Sequence, residues 1–168
     1  FVTDVPGADV EVASMPGVLQ HTRDSLRRAA VEAVEAGVGG LILFGIPAVK
    51  DALGSQADAA DGIVQQALAD LRAEVGDAAV LMGDVCLCEY TDHGHCGPLL
   101  ADGSVDNDAA VARYAATAVA QGADAIISIG YGRETALLLN ARRSLGVTLP
   151  LLSNPTLSLG STLDLLDA

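Results

Sequence analysis

Short apolar runs alternate with amphipathic stretches along this chain, and the hydrophobic period changes at each junction. Phe1–Val5 reads as a short strand closed by Pro6-Gly7. Thr22 or Asp24 suits a helix cap. Apolar residues then recur at Leu26, Ala29, Ala30, Ala33 and Val34, which predicts a helix to about Ala36 stopped by Gly37. Leu41-Ile42-Leu43-Phe44 is a continuous apolar run, the pattern of a parallel strand buried on both faces. A loop holding Lys50-Asp51 leads to a second helix, about Asp58 to Ala73, ended near Gly76. Ala79–Met82 is a third strand, terminating at Asp84-Val85-Cys86, and a polar loop follows from Leu87 to Asp106. Asn107 suits the cap of a third helix reaching Ala120. Ala125–Ile129 is a fourth strand, Arg133–Ser144 a fourth helix, Leu149–Leu152 a short fifth strand, and Leu159–Leu166 a weak final helix.

Strand and helix in alternation build a parallel sheet, either closed as a barrel or open and doubly wound. A (β/α)8 TIM barrel takes about 250 residues. These 168 residues hold about five strand–helix units, so the expected fold is α/β, a partial barrel of about the first half. No low-complexity linker or charge block interrupts the pattern, and residues 1–168 read as a single β/α domain.

Composition narrows the partners. With 9 Lys+Arg against 22 Asp+Glu the formal charge is −13, which repels phosphate backbones and anionic membranes, so neither is expected as a partner. Aromatics make up 3% and Trp is absent, so small aliphatics must do the packing. The longest apolar stretch, Gly37 to Val49, is too short to span a bilayer. Phe1 to Pro6 has neither a basic n-region nor an apolar h-region, so a soluble chain with no signal peptide is expected. The start at Phe rather than Met points to residues upstream.

The three cysteines all fall between Cys86 and Cys96. Such clustering suits a metal or redox site in a reducing cytoplasm rather than the disulfide framework of a secreted fold. Cys86 and Cys88 are two apart, so in extended backbone they point the same way, and the glycine-containing loop can return Cys96 to them. The site would lie at the C-terminal end of a β/α strand, where such folds build their chemistry. Three thiolates leave one coordination position open, the catalytic rather than the structural zinc pattern, and soft sulfur favours zinc over magnesium or calcium. The same residues also fit reduced thiols without a metal. His93 and His95 fit either flanking or ligating groups, or hydrogen-bonded loop residues.

Asp84-Val85-Cys86-Leu87-Cys88-Glu89-Tyr90-Thr91-Asp92-His93-Gly94-His95-Cys96-Gly97 closely resembles the zinc-site signature of the porphobilinogen synthase (5-aminolevulinate dehydratase) family. Further resemblances are Phe1-Val2-Thr3-Asp4-Val5-Pro6, Ser14-Met15-Pro16-Gly17-Val18, Leu43-Phe44-Gly45-Ile46-Pro47, Lys50-Asp51, Gly54-Ser55 with Ala57, and Asn107-Asp108. The likeness covers about residues 1–121. It implies a TIM-barrel enzyme of tetrapyrrole biosynthesis, a homo-oligomer, condensing two molecules of 5-aminolevulinate into porphobilinogen with loss of water. It implies Cys86, Cys88 and Cys96 as ligands of a catalytic Zn2+ acting as a Lewis acid, and Asp84 as an active-site carboxylate beside it.

Residues 122–168 diverge from the family pattern. The resemblance implies Schiff bases on two lysines late in the barrel. The one lysine here, Lys50, matches a loop lysine outside that role and reads as a solvated or Asp51-paired amine. The chain acting alone is therefore expected to be inactive. A substrate carboxylate needs cations, yet Arg23, Arg27, Arg28, Arg72 and Arg113 all fall on expected helices, as solvated faces. Gly130-Tyr131-Gly132 suits either an anion-binding turn or a plain β–α connection, and its surroundings faintly resemble a unit of periplasmic amino-acid-binding proteins. Two alternatives to the enzyme follow: a non-catalytic zinc-binding half-barrel that self-associates to cover its strand edges, and a chimeric α/β small-molecule-binding domain.

Overall fold

Apolar runs fold as strands and the 3.6-period stretches as helices. The computed structural model describes residues 1–130, 132–155 and 166. Its elements are β1 (Val2–Thr3), β2 (Val10–Glu11), β3 (Leu19–Gln20), α1 (Arg23–Glu35), β4 (Gly40–Leu43), β5 (Gly45–Ile46), α2 (Ile63–Val75), β6 (Val80–Gly83), α3 (Asn107–Ala120), β7 (Ile126–Ser128), α4 (Gly132–Ser144) and β8 (Leu151–Ser153). Thr22 caps α1 by accepting the Ser25 N–H. Leu26 and Ala30 then turn inward to meet Ile63, Val64 and Leu71, and the same core takes in Val2, Leu43, Leu87 and Tyr90.

Apart from β2 and β3, the strands pair in parallel. β1 lies against β5, and β4 against β6 with Leu41 opposite Leu81 and Ile42 opposite Met82. β4 and β5 are one strand interrupted at Phe44, whose carbonyl accepts the Val2 N–H at 2.9 Å. β7 pairs with β8 in parallel. Among the described residues no strand pairing joins that pair to β6, and the sheet does not close.

Several expectations are corrected. The apolar runs are not buried on both faces: Ile42 is 51% exposed and Val80 61%, with Ile127 and Leu152 similarly open. Alternation along a strand puts Leu41 and Leu43 toward the helices and Ile42 away from them, and nothing described covers that second face. The second helix starts at Ile63, not near Asp58, because Ser55–Ala57 forms a 3-10 turn and Asp58 binds Arg113 instead. Asp106, not Asn107, caps α3, accepting the Ala109 N–H at 3.1 Å. The antiparallel pair β2–β3 was not expected, since two-residue strands carry no readable period. The expected helix Leu159–Leu166, apart from Leu166, and Tyr131 of the glycine turn lie outside the described residues. No described helix is long and apolar enough to cross a membrane.

Candidate metal centre

The cysteines sit where β6 leaves the sheet. The Asp84 N–H still donates to the Leu43 carbonyl (3.0 Å), and Gln121 Nε2 holds the Asp84 carbonyl at 3.1 Å. Leu87 is then fully buried, and both Tyr90 and Thr91 donate their N–H groups to its carbonyl at 2.9 Å. The chain therefore turns at Cys88 rather than continuing extended, and the turn brings Cys88 Sγ to 3.4 Å from Cys86 Sγ. The expected convergence is present, but a turn produces it instead of strand alternation. Tyr90 locks the turn against β5, where a Cβ on Gly45 would stand 2.6 Å from its hydroxyl oxygen.

Cys96 returns through a loop fastened at both ends. Thr91 Oγ1 donates to the His95 carbonyl at 2.8 Å, and the Tyr114 hydroxyl of α3 donates to the Cys96 carbonyl. The three sulfurs lie within 4.8 Å of one another, Cys86 and Cys88 half-buried and Cys96 exposed. Burial raises the Cys88 thiol pKa, as does its hydrogen bond to Glu89. Cys96 is raised first by its interaction with Cys86 and then by burial. Both shifts favour the neutral thiol until a cation supplies compensating charge. Asp84 is raised by burial, partly offset by the Cys86 N–H it accepts at 3.0 Å. Asp84, Cys86 and Glu89 form a second group of potential metal donors, also within 4.8 Å.

The structure does not bring the histidines into this cluster. His93 Nδ1 accepts the His95 N–H at 3.2 Å while Nε2 faces the Ala52 carbonyl at 3.2 Å, so both its nitrogens are engaged within the loop. Lys50 is exposed, and Asp51 does not pair with it: the Asp51 carboxylate accepts the Leu53 and Ser55 N–H groups at 2.9 and 3.0 Å. Three arginines are not solvated faces: Arg27 is half-buried, pairs with Asp24 and lies 3.9 Å from Asp70. Arg23 grips Asp70 at 2.6 and 2.8 Å, and Arg113 grips Asp58 at 3.0 and 2.9 Å and the Gly54 carbonyl at 2.9 Å. Arg113 thereby ties α3 to the loop after β5. Tyr114 of α3 and Gln121 at its C-terminal cap support the site, and no local sequence signal marks them. Glu89 stands inside the cysteine string and so was legible by position.

Three converging thiols beside a carboxylate can bind a soft metal ion. The family model for delta-aminolevulinic acid dehydratase matches residues 1–129. The chain belongs to this family. The match runs past residue 121, through the strand β7, and so further than the sequence motifs reach. Delta-aminolevulinic acid dehydratase of Mycobacterium leprae is 63% identical over 123 residues, covering 72% of this chain and 37% of that protein. The Streptomyces coelicolor enzyme is 57% identical over the same span. This chain thus covers 37% of the length of these curated relatives. A crystal structure of delta-aminolevulinic acid dehydratase (porphobilinogen synthase) from Toxoplasma gondii ME49, in complex with the reaction product porphobilinogen, superposes with a TM-score of 0.74 at 24% identity. That likeness covers 99% of this chain and 50% of the other, which establishes the fold as a partial TIM barrel.

Proposed function

We propose that this chain carries the metal half of a porphobilinogen synthase site, the site that condenses two 5-aminolevulinate molecules into porphobilinogen in tetrapyrrole and heme biosynthesis. The convergence of Cys86, Cys88 and Cys96 beyond β6 carries the reading. A tetrahedral zinc with bonds of about 2.3 Å needs sulfurs about 3.8 Å apart. Cys86 and Cys88 are separated by 3.4 Å and all three sulfurs lie within 4.8 Å, so small rotamer changes make the set fit Zn2+. Zinc held there supplies Lewis acidity toward a substrate oxygen. Asp84, fixed by the Cys86 N–H and shifted toward its protonated form by burial, exchanges a proton with the bound substrate.

A Schiff base needs an amine, and the exposed Lys50 is the one lysine available. That single residue favours a non-catalytic, zinc-binding half-barrel for these 168 residues acting alone. Residues 1–168 are one β/α domain in this reading, and the divergent continuation begins after residue 129, where the family match ends. The likeness to a porphobilinogen synthase structure over 99% of the chain counts against the chimeric small-molecule-binding alternative. The reduced thiols suit a cytoplasmic protein, and the unclosed sheet suits a homo-oligomer.

Metal analysis of the purified chain is expected to find stoichiometric zinc, lost in Cys86→Ala; a metal-free wild type refutes the zinc reading. Incubation with 5-aminolevulinate and borohydride, followed by intact-mass measurement, is expected to give no adduct and no porphobilinogen. An adduct on Lys50 restores the enzyme reading for the chain alone.

A further inference from the structure

The three thiols do not reach the candidate site by equal means. Cys86 and Cys88 are set by the turn itself: the Cys86 N–H donates to Asp84 Oδ2 at 3.0 Å, and the Leu87 carbonyl between them accepts the Tyr90 and Thr91 N–H groups at 2.9 Å. Cys96 lies eight residues beyond Cys88 and is exposed. Its N–H donates to no acceptor among the described residues, and its carbonyl has one described donor, the Tyr114 hydroxyl of α3. The Thr91–His95 hydrogen bond restrains the preceding residue, but from within the same loop. Tyr114 is anchored outside that loop. Its ring packs against the core, and its neighbour Arg113 grips Asp58 and the Gly54 carbonyl. Gly97 rests on α3 one turn earlier, where a Cβ would stand 2.5 Å from the Ala110 Cβ, and helix residues four apart share a face. One face of α3 therefore meets the chain at both Cys96 and Gly97.

We propose that Tyr114 is a positioning residue for the metal centre: its hydroxyl, donating to the Cys96 carbonyl, holds the third thiol where the other two already stand. The inference rests on the three-thiolate reading above and adds the group that makes the third thiol available. An exposed cysteine on a glycine-containing loop samples many positions. A ligand that must first be ordered gives an affinity reduced by the fraction of time it is in place. Holding the Cys96 peptide removes that loss without any contact between Tyr114 and the metal. Phenylalanine at this position keeps the ring and its packing and deletes the hydroxyl alone. Because the hydroxyl acts through Cys96, its effect must vanish once Cys96 has no sulfur to offer.

The test uses the full chain loaded with Co2+, as wild type, Tyr114→Phe, Cys96→Ala and the double variant. Sulfur-to-cobalt charge-transfer bands are expected in the wild type, and Cys96→Ala should lose about one third of their intensity, one thiolate of three. Chelator competition should give about tenfold weaker metal binding in Tyr114→Phe than in the wild type, yet equal binding in Cys96→Ala and the double variant. A tyrosine that merely supports the fold would weaken binding in both backgrounds, and that outcome overturns the proposal. Equal affinity of Tyr114→Phe and the wild type also overturns it, while leaving the three-thiolate site standing. A wild type without sulfur-to-cobalt bands, or a Cys96→Ala protein with undiminished ones, removes the three-thiolate reading and the role of Tyr114 together.

Discussion

Gly97 follows the third cysteine and lies so close to α3 that a Cβ there would stand 2.5 Å from the Ala110 Cβ and 3.0 Å from Val105 Cγ1. Neither neighbour has a long side chain to swing aside, so Gly97→Ala must push the loop from the helix. The expected loss is about 1–3 kcal/mol of stability, read from a urea midpoint, together with weaker zinc binding as Cys96 moves from its partners. An unchanged midpoint and zinc affinity would mean the loop accommodates the methyl freely. Tyr90 predicts the opposite sign. Its ring is buried, yet its hydroxyl has no hydrogen-bond partner among the described residues, and burial pushes its pKa upward. An unsatisfied buried hydroxyl carries a desolvation cost, so Tyr90→Phe should raise stability by about 1 kcal/mol. A lowered midpoint would reveal a partner for the hydroxyl.

At the scale of elements, the Arg23–Asp70 clamp joins the first residue of α1 to α2. The Arg23 hydrogen bond lowers the Asp70 pKa below its ordinary 3.8, with burial opposing. A lowered folded-state pKa adds stability that is complete above the unfolded value and is lost as pH falls from 3.8 through the folded one. Arg23 is 40% exposed, so solvent screening limits the pair to about 1 kcal/mol. Asp70→Asn should lower stability by that amount at neutral pH and flatten the acid limb below 3.8, as urea titrations across pH would show. Equal stability of the two proteins at neutral pH would count against the clamp. Nothing in the local pattern announces this pairing, because its partners are 47 residues apart. Local signals served elsewhere: α3 runs Asn107–Ala120 as its periodicity predicts. They failed at α2, where Arg113 draws Asp58 out of the helical start and a tertiary contact overrides propensity. The candidate metal site was legible for a different reason. Its candidate donors lie within eleven consecutive residues, so spacing alone brought Cys86, Cys88 and Cys96 under suspicion, whereas Tyr114 of α3 and Gln121 at its C-terminal cap reach the site from elsewhere in the chain.

Across the whole molecule, the apolar runs expected to be buried on both faces are buried on one, since covering the other requires strands that would close the barrel. Ile42, Val80, Ile127 and Leu152 lie on strands and remain more than half exposed. Burying such side chains is worth about 25 cal/mol per Å² of apolar surface, which favours association. Each copy also carries a formal charge of −13, and like charges oppose the same step. The two effects separate by salt, because screening weakens the repulsion while leaving apolar burial intact. Sedimentation of the 168-residue chain should therefore show a mass above the monomer that grows with protein concentration and with added sodium chloride. Ile42→Lys should return the chain toward the monomer without lowering its urea midpoint, since the side chain it replaces is already exposed. A monodisperse monomer at high salt would show that the open face is not what drives copies together. A salt effect of opposite sign would instead place the attraction in paired charges on the rim.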